Sequence, residues 1–151
     1  MSGRFYEDYK AGDKFTTPGR TISKVEIVNF STLTGADNPL FLDEEFAKRS
    51  LYKSIIAPGL LTLAIAQGLW HRAGLHKNML GLLGINNTRF YVAVKEGDTI
   101  AVEIEIIKLR ETRRHDRGVL TSRHTVKNQA DEKVAEYEAT FLIKRRVEEE
   151  D

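Results

Sequence analysis

The run from Pro58 to Ala73 constrains this chain more than any other stretch. Leu60, Leu61, Leu63, Ala64, Ile65, Ala66, Leu69 and Trp70 occupy nearly the whole circumference of a helix, and only Thr62, Gln67, His71 and Arg72 interrupt them. A helix that is apolar all round has to be buried on most of its sides. Pro58 suits the first turn, where its missing N–H is not needed, and Gly74 suits the end. The question is what covers it.

The segments after it read as strands. Ile85 to Val94 follows a glycine-rich approach through Gly81 and Gly84. Ile100, Val102, Ile104 and Ile106 then alternate with Ala101, Glu103 and Glu105, the period of a half-buried strand. Ile107 and Leu109 switch the apolar phase, which predicts a bulge or a strong twist. A charged hairpin tip spans Glu111 to Arg117. Two further strands run from Val119 to Asn128 and from Lys133 to Lys144, joined by a polar turn.

The segments before the helix are mixed. Lys14 to Ile22 reads as a strand broken at Pro18-Gly19. Ser23 and Glu26 have the spacing of a capping box. Val25, Ile27, Val28 and Leu33 then form a helical stripe to Thr34, with Gly35 at its end. Residues 35–42 read as turn, because Asn38-Pro39 forces the backbone out of the helical region. Asp43, Glu44 and Glu45 suit the positive end of a short helix reaching Arg49.

One broken strand, several helices and four strands make an α+β domain, with an antiparallel sheet wrapped around the long buried helix. That helix carries more apolar surface than one sheet can cover, so a second copy packed edge to edge is expected, giving at least a homodimer. At 151 residues the chain has the size of a single domain, residues 1–146, followed by an acidic tail at 147–151. With 23 basic and 22 acidic residues it lacks the cationic surplus of a nucleic-acid binder. It has no cysteine, no signal-peptide pattern over residues 1–9 and no apolar run of about 18 residues. A cytoplasmic location and no membrane partner are therefore expected.

Two stretches carry the chemistry: Gly35-x-x-Asn38-Pro39-Leu40-x-x-Asp43-Glu44-Glu45-Phe46-Ala47, and Ala57-x-Gly59-Leu60-Leu61. With Arg89-Phe90, Gly97-Asp98-Thr99 and Asn128-Gln129 behind them, the chain resembles the MaoC-like branch of the hot-dog fold. That branch comprises (R)-specific enoyl-CoA hydratases and acyl-thioester dehydratases. The resemblance implies a site where Asp and His handle water and proton, while a glycine at the start of the buried helix offers its N–H to the thioester carbonyl. Such a helix end stabilises enolate charge through free N–H groups and its dipole.

Carried over residue by residue, Gly59 matches the oxyanion glycine, and Asn38, Pro39 and Leu40 match the turn. The family's Asp position is Ala36 and its His position is Phe41, so neither can move a proton; the residue before the glycine, usually His, is Pro58. Asp37 has two readings. As a turn residue it bonds its own backbone, the favoured reading; as a relocated acid or base it would be catalytic. Asn38 serves the turn or touches substrate, and Phe41 packs or lines the acyl tunnel.

The histidines offer no ready replacement. His71 reads as structural, His76 as exposed, and His115 as part of a solvated tip that could alternatively meet CoA phosphates. His124 lies on a strand face that the pattern leaves open. No metal or cofactor is expected beyond an acyl-CoA or acyl-carrier thioester as substrate or ligand. The resulting expectation is a hydratase or dehydratase with non-standard residues. The alternatives are a non-catalytic acyl-CoA-binding protein, a partner subunit of a hetero-oligomeric dehydratase and, last, a hot-dog thioesterase.

Overall fold

A computed structural model describes residues 3–146; the acidic tail expected at 147–151 lies outside the described residues. After a 3-10 turn at Tyr6–Asp8 come β1 (Lys14–Thr16), β2 (Arg20–Thr21), α1 (Lys24–Thr34), α2 (Pro39–Leu42), α3 (Glu44–Arg49) and α4 (Gly59–Arg72). Then follow β3 (Met79–Phe90), β4 (Thr99–Glu111), β5 (Arg117–Lys127) and β6 (Lys133–Lys144). The strands form one antiparallel sheet in the order β1-β4-β5-β6-β3, with β2 pairing with β4 beside β1.

The sheet packs on α4. Ile100, Val102, Ile104 and Ile106 of β4 point inward together with Leu120, Val126, Tyr137, Ala139, Phe141 and Ile143. Against them lie Leu61, Ile65, Ala66, Leu69 and Trp70 of α4. Burying those α4 side chains stabilises the fold by about 1.5–3 kcal/mol for each large aliphatic residue. The expected break at Pro18-Gly19 separates β1 from β2. The phase switch in β4 is a register shift between Ile106 and Lys108, as its pattern predicts.

Three expectations are corrected. The strand expected at Ile85–Val94 begins six residues earlier, because Met79 already pairs with Ile143. Gly81 and Gly84 sit within it, at register shifts rather than before it. Residues 39–42 form a helical turn: Pro39 opens α2 as proline readily does, and the Asn38 side chain accepts the Leu40 N–H at 2.9 Å. The stripe on α1 holds only in part, at Ile27. Ile27 and Ser31, one turn apart, point to the core, whereas Val25 and Leu33 are exposed. The capping box itself forms, with Glu26 Oε2 accepting the Ser23 N–H at 2.8 Å and Gly35 closing the helix at φ 75°.

α4 is covered on most sides but not all. Leu60 is 69% exposed, and Ala64 and Gly68 continue the same open stripe at intervals of four. β3 is the last strand of the sheet, and its Leu80, Leu82, Leu83 and Ile85 remain exposed. No helix among the described residues is long and apolar enough to cross a membrane.

Candidate functional site at the start of α4

The segment leading into α4 is fixed by backbone pairing. Ala57 N–H donates to Val94 O at 2.7 Å, Glu96 N–H to Ile55 O at 3.2 Å and Ile56 N–H to Leu40 O at 3.3 Å. The helix proper starts with Thr62 N–H donating to Pro58 O. Pro58 has no side chain able to cap, so the N–H groups of Gly59, Leu60 and Leu61 have no acceptor among the described residues. Three free donors and the positive end of the helix dipole thus converge on one spot.

A cavity of about 360 Å³ opens there. The Phe90 ring lies over Gly59 so closely that a β carbon on residue 59 would sit 3.0 Å from Cε1 and Cζ. Glycine is what lets ring and helix meet. The inner wall is apolar, formed by the buried Ile56, Ala57, Val94 and Val134. Its polar groups are the Thr62 hydroxyl, on a residue only 4% exposed, and the Tyr52 and Tyr91 phenols nearer the rim. The Lys133 ammonium stands 4.9 Å from the Tyr91 ring centroid. No carboxylate or imidazole among the described residues lines this cavity.

Of the four residues expected at the site, only Gly59 lines the cavity. Asp37 is exposed, its N–H donates to Gly35 O at 3.0 Å, and its carboxylate makes no hydrogen bond among the described residues. Asn38 is exposed and caps α2. Phe41 is half-buried and packs against the core. The turn is nevertheless tied to the cavity through the Leu40–Ile56 hydrogen bond.

The histidines sort clearly. His115 is exposed at the hairpin tip. His76 is half-buried rather than exposed, because its Nδ1 lies 2.7 Å from His71 O and its ring 5.1 Å from that of His71. Burial, then the neighbouring His76, holds the His71 imidazole below its ordinary pKa. His124 faces inward and is fully buried; burial pushes its pKa down to about 3, so the ring is neutral. Its Nε2 lies 2.8 Å from Ser122 Oγ.

Residues 8–128 match the family model of the MaoC-like domain. The chain belongs to this family. The protein MaoC of Klebsiella aerogenes is 32% identical over 115 residues, 76% of this chain but 33% of that protein, so the chain spans about a third of its length. A 3-hydroxybutyryl-CoA dehydratase of Methylorubrum extorquens is 30% identical over 130 residues, 85% of this chain and 78% of the enzyme. Among solved structures, a Mycobacterium tuberculosis protein with a double hot-dog fold superposes with a TM-score of 0.88 at 20% identity. It covers 99% of this chain and 46% of that one, and it shows that the fold is the hot-dog.

Thr62, Phe90, Tyr52 and Tyr91 were not among the site residues read from the sequence. Thr62 did leave a signal: it is a lone hydroxyl in an apolar helix, three residues after Gly59 and so on the same face. Phe90 belonged to the Arg89-Phe90 echo. Tyr52 and Tyr91 left none, because their approach depends on how the loop before α4 and the end of β3 fold together.

Proposed function

We propose that this MaoC-like protein holds an acyl thioester with its carbonyl oxygen at the start of α4, in a site of the hydratase and dehydratase class. The uncapped helix end at Gly59, opening onto a partly apolar cavity, carries this reading. Free N–H donors and a helix dipole are what a carbonyl needs when it gains enolate charge. The kinship with a 3-hydroxybutyryl-CoA dehydratase supports the same ligand class. No cofactor is required by such chemistry.

Proton transfer is the open half of the proposal. With no carboxylate or imidazole in the cavity of one chain, either Asp37 or a second chain supplies it, or the protein binds without turning over. A second copy has a natural seat: β3 ends the sheet with an unpaired edge and carries exposed leucines, and α4 has an open stripe of its own. We propose a homodimer through this face, or its pairing with a catalytic companion chain. Light scattering reads the mass directly, and a monomer at micromolar concentration removes the self-pairing.

The test of function is twofold. Calorimetric titration with butyryl-CoA and 3-hydroxybutyryl-CoA reads binding; loss of enoyl absorbance from crotonyl-CoA reads hydration. Binding with turnover supports the enzyme, binding without turnover supports the non-catalytic subunit, and no binding to any acyl thioester rejects both. Release of free thiol would instead favour a thioesterase.

A further inference from the structure

We infer that Thr62 reads an oxygen on the β carbon of the acyl group, so that the site prefers 3-hydroxyacyl thioesters to their saturated counterparts. This rests on the acyl-thioester reading of the α4 N-terminus. Thr62 is 4% exposed and lines the cavity with Gly59. Its hydroxyl makes no hydrogen bond to any described residue, although a helical threonine commonly returns one to the carbonyl a turn behind; Thr34 does so here, to Phe30 O at 2.8 Å. The residue is buried but the hydroxyl oxygen is not fully enclosed, so it is open to a ligand or to water that can satisfy it.

Position gives the partner's identity. Three residues along a helix advance about 4.5 Å, so Thr62 stands one turn deeper than the Gly59 N–H on the same face. That offset is comparable to the span from a thioester carbonyl oxygen to an oxygen on its β carbon in an extended chain. The side chains of the other deep residues, Ile56, Ala57, Val94 and Val134, are apolar. The phenol-bearing Tyr91 is 55% exposed and stands at the rim. A saturated acyl chain would leave the Thr62 hydroxyl stranded; a β-hydroxyl satisfies it, and the two groups can each donate and accept.

Calorimetric titration of the full chain with 3-hydroxybutyryl-CoA, either enantiomer, and with butyryl-CoA tests the inference. The unsubstituted protein is expected to prefer one 3-hydroxy enantiomer over butyryl-CoA by about tenfold, the order of one hydrogen bond. Thr62→Val, which keeps the shape and removes the hydroxyl, binds the two equally with an unchanged or raised melting temperature, whereas Thr62→Ser retains the preference. If butyryl-CoA binds as well as both 3-hydroxy enantiomers, or Thr62→Val keeps the preference, the inference is overturned while the acyl-thioester reading stands. Equal loss of both affinities in Thr62→Val, with a melting temperature lowered by several degrees, marks a structural hydroxyl and also overturns it. No binding of any thioester to the unsubstituted protein removes both.

Discussion

The two ends of α4 obey opposite rules. At its C-terminal end Trp70 is fully buried and stacks on Phe141, ring centroids 4.9 Å apart and planes 12° from parallel. His124 follows at 5.5 Å from Trp70 and stacks on Tyr137 at 4.7 Å. The helix closes with Ala73 N–H donating to Leu69 O, and Gly74 turns the chain at φ 77°. At the N-terminal end no side chain caps the helix, the donors stay free, and half-exposed aromatics stand over a cavity. A helix needs a rigid anchor at one end if the other is to keep unsatisfied donors aimed at a ligand. On the proposed reading the contrast is a division of labour: stability at Trp70, recognition at Gly59.

Trp70→Ala should break the anchored end. Removing a buried indole costs about 3–5 kcal/mol, through lost burial and the cavity left behind. Urea unfolding reads this as a lowered midpoint with little change in slope. Gly59→Ala should do the reverse. Alanine favours a helix, and the Phe90 ring, 53% exposed, can swing away from a new methyl group. Stability therefore stays within about 1 kcal/mol. The methyl group and displaced ring crowd the N–H, so acyl-thioester affinity should fall by about 10- to 100-fold, or 1.4–2.7 kcal/mol. A Gly59→Ala chain that melts early yet binds normally would cancel the division.

The anchored end was legible in the sequence and the recognising end only partly so. Apolar residues around 58–73 demand a cover whatever their neighbours, and strict alternation in β4 and β6 supplied it; both rest on local periodicity. The capping box at Ser23–Glu26 was equally local. Gly59 could be read because a family pattern marks it. Thr62, Tyr52 and Phe90 meet only when the loop before α4, α4 itself and the far end of β3 are brought together, which no local spacing encodes. The narrowing on α1 has a similar cause: Val25, Ile27, Val28 and Leu33 formed a plausible stripe, but the packing buried Ile27 with Ser31 and left Val25 and Leu33 exposed. For β3, the glycines looked like loop because strand propensity ignores pairing, and β6 recruits them.

His124 offers a pH test of the same contrast. Its folded pKa of about 3 lies below the ordinary value of about 6.5, since burial disfavours the charged ring. Between those values the unfolded chain holds the extra proton, so the contribution of His124 is complete above about pH 6.5 and declines as pH falls toward 3. The slope is at most about 1.4 kcal/mol per pH unit. Denaturant unfolding at pH 7, 6 and 5 should show that decline, and His124→Phe should flatten it, ahead of the carboxylates that titrate near pH 4. An equally steep decline in the variant would place the acid sensitivity elsewhere.

The smallest effects belong to the turn at 37–38, and they decide whether that turn belongs to the recognising end at all. Asn38→Ala removes the side-chain cap of α2, worth about 1 kcal/mol, and no more because α2 is a single turn. Asp37 has no side-chain partner among the described residues and lies outside the cavity, so Asp37→Asn should leave both melting temperature and acyl-thioester affinity unchanged. The amide keeps the size and the turn geometry while removing the carboxylate, so it isolates proton transfer from structure. If crotonyl-CoA is hydrated by the unsubstituted protein and Asp37→Asn retains the rate, Asp37 is a turn residue and the acid or base comes from another group. If the rate collapses while binding persists, the carboxylate reaches a site that one chain alone does not form, and the proposed recognising end extends onto a second chain.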